Sequence, residues 1–313
     1  SVICCPLTFD GMQWSSVANG VKLPYTRVNA DGSTDTVQGF SGIKSAATGS
    51  LTVNGGTGLG SIAVSVAAIR GAFGYAWYLG TAGSETLAAI TGAPATTLKY
   101  SAADAGGTQS DDVLPSSDTS QNALHFNGLL SQIVTSGSGG YWADLGGAAL
   151  TTSGSGTGGI AEFDAAITSF YQNYRLVPDL IVMNGVDQQN AKNKILTGNT
   201  NLAPFFMGMG GAGDVGGGAQ FKKYNNPIGF GSPELDVMVH PFLPQGTVLF
   251  YSRKNPYALS NVGELVRMKL RREYYQVDWP ITTRRWTYGV YLDGVLQMYF
   301  MPAFGVITGI GNA

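Results

Sequence analysis

Residues 265–310 decide the fold, and they read LVRMKLRREYYQVDWPITTRRWTYGVYLDGVLQMYFMPAFGVITGI. Apolar and basic side chains alternate strictly at the start of this stretch. The apolar set is Val266, Met268 and Leu270, and the basic set is Arg267, Lys269 and Arg271. Because successive side chains of a strand point to opposite faces, this pattern predicts a half-buried strand.

A second alternating run follows over residues 285–292, and residues 295–307 are almost wholly apolar. The only clear breaks in the whole stretch are Pro280 and Pro302. Strands of this length exceed the usual five or six residues. We therefore predict an element that reaches beyond a compact core and ties the chain to its neighbours.

Composition indicates a globular chain with a sizeable core. It has 313 residues, 44% hydrophobic and 12% charged, with 45 glycines, and the length predicts roughly two domains. The net charge is -2, but ten of the eighteen basic residues lie between Lys222 and Arg285. Residues 1–150 instead hold nine acidic and five basic groups. This local basic band argues against a dedicated nucleic-acid-binding domain.

Features of extracellular and membrane proteins are missing from the sequence. Cys4 and Cys5 are adjacent, where a bridge would be strained, so we predict two reduced, packed thiols. There is no Asn-x-Ser/Thr sequon, no apolar run of about eighteen residues and no basic start typical of a signal peptide. These absences favour a cytosolic origin.

Residues 1–118 are predicted to form a β-rich domain. Asp31-Gly32 is suited to a tight hairpin turn. Gly and Ser punctuate short strand-like segments at the spacing of an immunoglobulin or fibronectin-type sandwich. The predicted strands are 22–29, 34–40, 61–70, 74–79, 85–90 and 96–100. The aromatic run at residues 75–78 is interpreted as core.

Later segments change to a mixed α+β pattern. Two stretches rich in small and polar residues, 102–120 and 151–159, are predicted linkers. Apolar residues then follow helical spacing over 160–174, and residues 178–183 form a predicted buried strand. Asn184 is suited to cap a second helix, 186–196, with Asp187 three positions on.

Residues with catalytic potential are few, and we predict no enzyme, no cofactor and no metal. Only two histidines exist, His125 and His240, and no nucleophile-elbow or metal-ligand motif appears. Asp111-Asp112 is interpreted as a pair of solvated loop carboxylates. Residues 208–218 formally contain a Gly-x-Gly-x-x-Gly match, but without the strand and helix that a dinucleotide site needs. We interpret them as a mobile surface loop.

Four segments together resemble the major capsid proteins of tailed bacteriophages of the Hong Kong 97 type. They are FNGLLSQI at 126–133, FDAAI at 163–167 with DLIVMN at 179–184, VHPFLPQG at 239–246, and the run 271–300. The resemblance covers about residues 120–310. It implies an α+β Hong Kong 97-type capsid fold, with an additional β-rich, immunoglobulin-like domain that is N-terminal or inserted.

The resemblance also divides the chain and gives it a function. It implies a peripheral-type domain at 119–174 and 265–313, an axial-type domain at 175–264, and the β-rich domain at 1–118. The expected function is self-assembly into an icosahedral head that encloses double-stranded DNA. The expected partners are copies of the chain in hexamers and pentamers, with portal, scaffold or decoration proteins, and DNA only by weak non-specific contact. No membrane partner is expected, and localisation would be the virion capsid, assembled in the bacterial host cytoplasm.

Two groups of residues follow as candidates for assembly roles. The expected inter-subunit contacts are Arg271, Arg272, Tyr274, Trp279, Arg284, Arg285, Trp286 and Tyr291. The expected flexible positions of an axial loop, which must fit both fivefold and sixfold rings, are Gly208, Gly210, Gly211, Gly213, Gly216, Gly217 and Gly218. The arginine pairs also allow another interpretation, a phosphate-binding patch.

Some features depart from the family or favour other functions. Family members carry an extended arm, a long hairpin loop and a spine helix before the first matching segment, whereas residues 1–120 show no helical pattern of twenty residues. Either the sequence begins late or an inserted β module hides those parts. The main alternative function is a β-rich adhesion or carbohydrate-binding surface protein. A hydrolase using His125 or His240 is disfavoured by the missing motifs.

Overall fold

The computed structural model describes residues 1–29, 32–49, 60–100, 107–154, 159–197, 222–231, 234–253, 255, 257–279, 284, 286 and 288–311. Strand accounts for 39% of the residues and helix for 18%, so the structure is mixed and sheet-rich with few helices, which is compatible with an α+β or a β-rich class. The helices are α1 Phe9–Trp14, α2 Leu129–Val134, α3 Ala161–Tyr174 and α4 Gly185–Thr197. The strands are β1 Val2–Leu7, β2 Tyr25–Val28, β3 Thr34–Val37, β4 Gly60–Ser65, β5 Gly74–Thr81, β6 Ser84–Thr91, β7 Ala95–Tyr100, β8 Tyr141–Asp144, β9 Thr152–Ser153, β10 Gly159–Ile160, β11 Leu180–Met183, β12 Lys223–Asn225, β13 Glu234–Val239, β14 Val248–Tyr251, β15 Val266–Asp278, β16 Tyr288–Met298 and β17 Gly305–Thr308.

A six-stranded mixed sheet organises the second half of the chain, in the order β12-β13-β11-β14-β17-β8. β11 pairs parallel with β13 and antiparallel with β14, and β17 pairs antiparallel with β14 and parallel with β8. The strands β11, β14 and β17 are almost fully buried. Such burial explains why these strands are short, nearly continuous apolar runs.

Helix α3 covers this sheet through its aromatic face. Phe163 lies 5.7 Å from Phe250 of β14 in an edge-to-face contact, and Phe170 lies 6.1 Å from the same ring. All three side chains are buried, and each contributes roughly 1.5–3 kcal/mol by leaving water. A Cβ at Gly305 would meet the Phe170 ring at 2.6 Å, so glycine allows the close packing of β17 against α3. The helix predicted at 160–174 is therefore confirmed.

The cap of α4 was predicted correctly, but the role of Asp187 was not. The side-chain oxygen of Asn184 accepts a hydrogen bond from Val186 N–H at 3.0 Å. In a capping box, Asp187 would bond back to the Asn184 backbone. Its Oδ2 instead accepts from Gly246 N–H at 2.8 Å, because the turn before β14 packs against the start of α4.

A separate antiparallel sheet, β1-β5-β6, forms the centre of residues 1–118. Cys5 and Tyr78 pack on one face, while Cys4 and Trp77 pack on the other, where the β4-β7 pair covers them. Adjacent strand residues point to opposite faces, which explains why the two thiols are buried, free and unbridged, as predicted. Burial raises the pKa of Cys5 to about 11 and that of Cys4 to about 12.

Each strand predicted in this region overlaps an observed one, including the hairpin of β2 and β3, although the strand predicted at 61–70 ends at Ser65 and Asp31 of the hairpin turn lies outside the described residues. Among the described residues, the sheets have three and two strands, fewer than the seven of an immunoglobulin domain. Phe73 belongs to the core of the six-stranded sheet, and Arg70 Nε donates to the Val134 carbonyl. The two regions therefore pack together, and the domain boundaries stay a prediction.

The interpretation of Asp111 as a solvated carboxylate is wrong. Asp111 is 4% exposed, and its Oδ2 lies 2.9 Å from Lys44 Nζ. Within the predicted linker 102–120, Gln109 also holds the chain in place, since its Oε1 accepts from Val21 N–H at 2.7 Å and from the Tyr78 hydroxyl at 2.8 Å. Residues 107–114 of the predicted linker thus pack on the β1-β5-β6 sheet instead of forming a free linker, and residues 102–106 lie outside the described residues.

Candidate interaction surface

Strands β15 and β16 form a two-stranded antiparallel ribbon, called the ribbon below. They pair from Val266 opposite Met298 to Asp278 opposite Tyr288. With thirteen residues in β15, the ribbon is about 40 Å long. The described part of the chain shows no third strand in this sheet. The prediction of an unusually long element is confirmed.

The base of the ribbon is fixed to the core. Leu265 is buried in the main hydrophobic cluster, and Val266 and Met298 pack against it. Tyr299 N–H donates to the Leu265 carbonyl at 2.9 Å, and Gln132 of α2 donates to the Leu296 carbonyl at 3.0 Å. The ribbon therefore leaves the body from a defined position.

Beyond the base, both faces of the ribbon are accessible to solvent. Met268 and Leu270 on one face are 43% and 42% exposed, and Val295 on the other face is 53% exposed. The alternation predicted a half-buried strand, and within the single chain neither face of the ribbon is buried at these residues. The sequence periodicity is that of a covered strand, but the cover does not come from the described residues of the same chain.

Two β-bulges interrupt the ribbon, after Leu270 and after Arg272. Each bulge adds unmatched residues to β15, which breaks the alternation and increases the local twist. Arg271 is turned by the first bulge, and its Nε lies 3.5 Å from Asp293 Oδ2 across the ribbon. Both side chains are largely exposed, so this ion pair contributes at most about 1 kcal/mol.

Aromatic and cationic groups are stacked just beyond the bulges. The Tyr275 and Tyr291 rings are cross-strand partners, 5.6 Å apart and nearly parallel. The guanidinium of Arg272 lies 3.8 Å from the centre of the Tyr275 ring. This arrangement holds Arg272 extended over a flat aromatic surface. Sequence reasoning had selected Arg272 and Tyr291 but missed Tyr275, which the bulge brings to the same face.

The other predicted contact residues lie further along the ribbon or in its connecting segment. Tyr274 and Trp286 are 76% and 78% exposed, Arg284 is exposed and Trp279 is half-buried. Large aromatic side chains with such exposure are common anchors at protein interfaces. Arg285 and the glycines of residues 208–218 lie outside the described residues.

Asp187 is a buried carboxyl that sequence reasoning assigned only to helix capping. It is 1% exposed. Burial raises its pKa to about 6, although the backbone N–H groups of Gly246 and Thr247 oppose that rise. Its Oδ1 has no partner among the described residues. In the sequence, the only sign of a role for Asp187 was its capping-box spacing from Asn184. That spacing could not show that the turn before β14 would supply the hydrogen-bond donors.

Neither metal clusters nor membrane-spanning helices occur in the described part of the chain. Its His, Cys, Asp and Glu side chains form no group of three able to hold a metal ion. Helices there are too short or too polar to cross a membrane. No protein-family model and no curated protein matches the sequence. A function for this protein therefore has to be inferred from its own sequence and structure.

Proposed function

We propose that this chain is the major capsid protein of a tailed bacteriophage and that it self-assembles into an icosahedral head. The observation that carries the proposal is the ribbon. A two-stranded sheet is marginally stable alone in water. This one nevertheless exposes apolar and aromatic side chains along a length of about 40 Å. A neighbouring copy that covers the ribbon would remove these side chains from water and so stabilise the ribbon.

The finer fold proposal is a Hong Kong 97-type capsid protein. The resemblance assigns α3 and the ribbon to a peripheral-type domain at 119–174 and 265–313, and the intervening residues 175–264 to an axial-type domain. A shell repeats one contact many times, so each contact can be modest and assembly stays reversible until closure. A net charge of only -2 is compatible with a wall that encloses DNA without binding it strongly.

Assembly of the purified chain tests the proposal. We expect rings or shells in sedimentation and electron micrographs, with phage assembly proteins co-expressed where needed. The variant Trp286→Ala/Tyr274→Ala removes two exposed side chains, one in the segment that connects β15 to β16 and one on β15, and should leave a folded chain that does not assemble. Trp14→Ala is the matched control, because Trp14 is also exposed, at 68%, and lies outside the ribbon. A wild-type chain that stays monomeric under all these conditions would refute the proposal.

A further inference from the structure

Asn-Gly dipeptides occur four times in the sequence, and their surroundings differ. They are Asn19-Gly20, Asn54-Gly55, Asn127-Gly128 and Asn184-Gly185, of which Asn54-Gly55 lies outside the described residues. In this dipeptide the backbone nitrogen of glycine can attack the side-chain amide of asparagine, because glycine has no Cβ to obstruct the approach. Asparagine is accordingly one of the heat-labile residues of proteins. The hydrogen bonds of the two reacting groups decide which dipeptide reacts.

Both reacting groups are free at Asn127-Gly128. The two residues are exposed and lie immediately before α2. The backbone carbonyl of Asn127 accepts a hydrogen bond from Gln132 Nε2 at 2.9 Å, but its side-chain amide and the Gly128 N–H have no partner among the described residues. Gly128 has a φ of -74°, and a Cβ there would meet nothing within 4 Å. This position therefore has room for a five-membered ring to close.

The same dipeptide is held in place at two other positions. At Asn184-Gly185, the asparagine Nδ2 donates to the Leu243 carbonyl at 2.8 Å, and its Oδ1 accepts from Val186 N–H at 3.0 Å. The amide must break both hydrogen bonds before it can turn towards the glycine nitrogen. At Asn19-Gly20, the glycine N–H donates to the Ser16 carbonyl at 2.8 Å, so the attacking nitrogen is already engaged. Identical motifs are thus expected to differ in reactivity.

We propose that Asn127 is a site of spontaneous deamidation, a modification that needs only water and does not depend on assembly. The Gly128 nitrogen gives its proton to water or hydroxide and attacks Cγ of Asn127. The Cγ–Nδ2 bond breaks, ammonia leaves, and a cyclic imide forms. Water then adds to either ring carbonyl and opens the ring to an aspartyl or an isoaspartyl linkage. The net reaction converts an amide and water to a carboxylate and ammonium, with no oxidation or reduction.

The product alters a contact at the base of the ribbon. Gln132 Nε2 donates to the Asn127 carbonyl and also to the Leu296 carbonyl of β16, at 3.0 Å, so this side chain joins residue 127 to the ribbon. In the isoaspartyl product the main chain runs through Cγ and is longer by a methylene group. The former Asn127 carbonyl becomes a free carboxylate. A negative charge then replaces a neutral acceptor of Gln132 beside the ribbon.

Incubation of the intact chain at mildly alkaline pH tests the site. Peptide mass spectrometry follows the replacement of amide by carboxylate at each dipeptide, and an isoaspartate-specific methyltransferase detects the isoaspartyl product. We expect Asn127 to react more than roughly tenfold faster than Asn184, because the Asn184 amide must first lose two hydrogen bonds. The same chain in urea is the internal control. Both dipeptides lose their surroundings there, so their rates should become similar.

Gly128→Ala is the matched variant. Its negative φ and the open space around it accept a Cβ, so the fold should persist, as circular dichroism checks, while the methyl group slows the reaction at Asn127 several-fold. An unchanged rate in this variant overturns the cyclic imide route. Equal rates at Asn127 and Asn184 in the folded chain, or a faster reaction at Asn184, overturn the site itself. A difference that persists in urea shows that the structure is not its cause. None of these outcomes depends on whether the chain assembles.

Discussion

The ribbon and the centre of the six-stranded sheet both consist of strands with apolar residues, but they have opposite surroundings. Strand β17 is buried at all four positions, whereas β15 is exposed at most of its thirteen. The difference lies in the residues between the apolar ones. In β17 Val306 and Ile307 are adjacent, as in a strand covered on both faces, whereas β15 alternates apolar with charged residues. Alternation shows that a strand has two unlike faces, but it does not show which molecule covers the apolar one.

Substitution of an aromatic residue in each region should give the largest contrast. Phe250→Ala opens a cavity between α3 and the sheet, so we expect a loss of about 3–5 kcal/mol in the free energy of unfolding. Trp286→Ala, in the segment that connects the two strands of the ribbon, removes a side chain that is 78% exposed, and the free energy of unfolding of the monomer should change by less than about 0.5 kcal/mol. Urea unfolding of monomeric protein measures both. A loss above about 2 kcal/mol for Trp286→Ala would mean that the ribbon is already covered within one chain.

Carboxylates of the two regions should respond differently to pH. The pKa of Asp187 is raised to about 6 in the folded chain from 3.8, so its contribution to stability is complete below about pH 4 and is lost as pH rises through 6. The loss amounts to about 3 kcal/mol. Asp187→Asn cannot ionise but keeps an oxygen for Gly246 N–H. We expect the wild-type free energy of unfolding, minus that of this variant, to fall between pH 4 and pH 7.

Asp293→Asn is the matched control for this experiment. It removes the exposed ion pair with Arg271, and at pH 7 it should change stability by less than about 1 kcal/mol. If the free energy of unfolding of the wild type, minus that of Asp187→Asn, stays constant across the same pH range, then Asp187 is solvated in the folded protein.

A smaller effect is expected from the stacked tyrosines of the ribbon. Tyr275→Ala removes the cross-strand partner of Tyr291 and the ring below Arg272, contacts worth roughly 0.2–1 kcal/mol. Because the ribbon leaves the body, the loss should appear as faster amide hydrogen exchange in β15 and β16, with no change in β14 or β17. Equal acceleration in both regions would show that the ribbon and the sheet unfold as one unit.

Much of the fold could be predicted because its signals are local. Helical spacing defined α3, the Asn184 side chain marked the start of α4, and alternation defined β15. The surroundings of buried charges could not be predicted in this way. The partner of Asp111 is Lys44, and the partner of Asp187 is Gly246. Each partner is more than fifty positions away in the sequence, and local patterns contain no information about such contacts.

The surface of the ribbon could also be predicted only in part, because some of its features depend on contacts between the two strands. Exposed aromatic and basic residues such as Tyr274 and Arg272 were visible in the sequence. The two bulges were not, because a bulge depends on which residue of the partner strand lies opposite. The contact between residues 41–44 and residues 111–119 was not visible either, because each segment alone is an ordinary polar loop.

Strand β17 lies between β14 and β8, although it follows both in the sequence by 53 residues or more. A ribosome therefore makes all the other strands of this sheet before the one that joins two of them. Until residues 305–308 emerge, the nascent chain has unpaired edges on β14 and β8, which are sites for aggregation. A copy cut short before Gly305 would keep that gap, so the sheet cannot be completed until translation has passed this point.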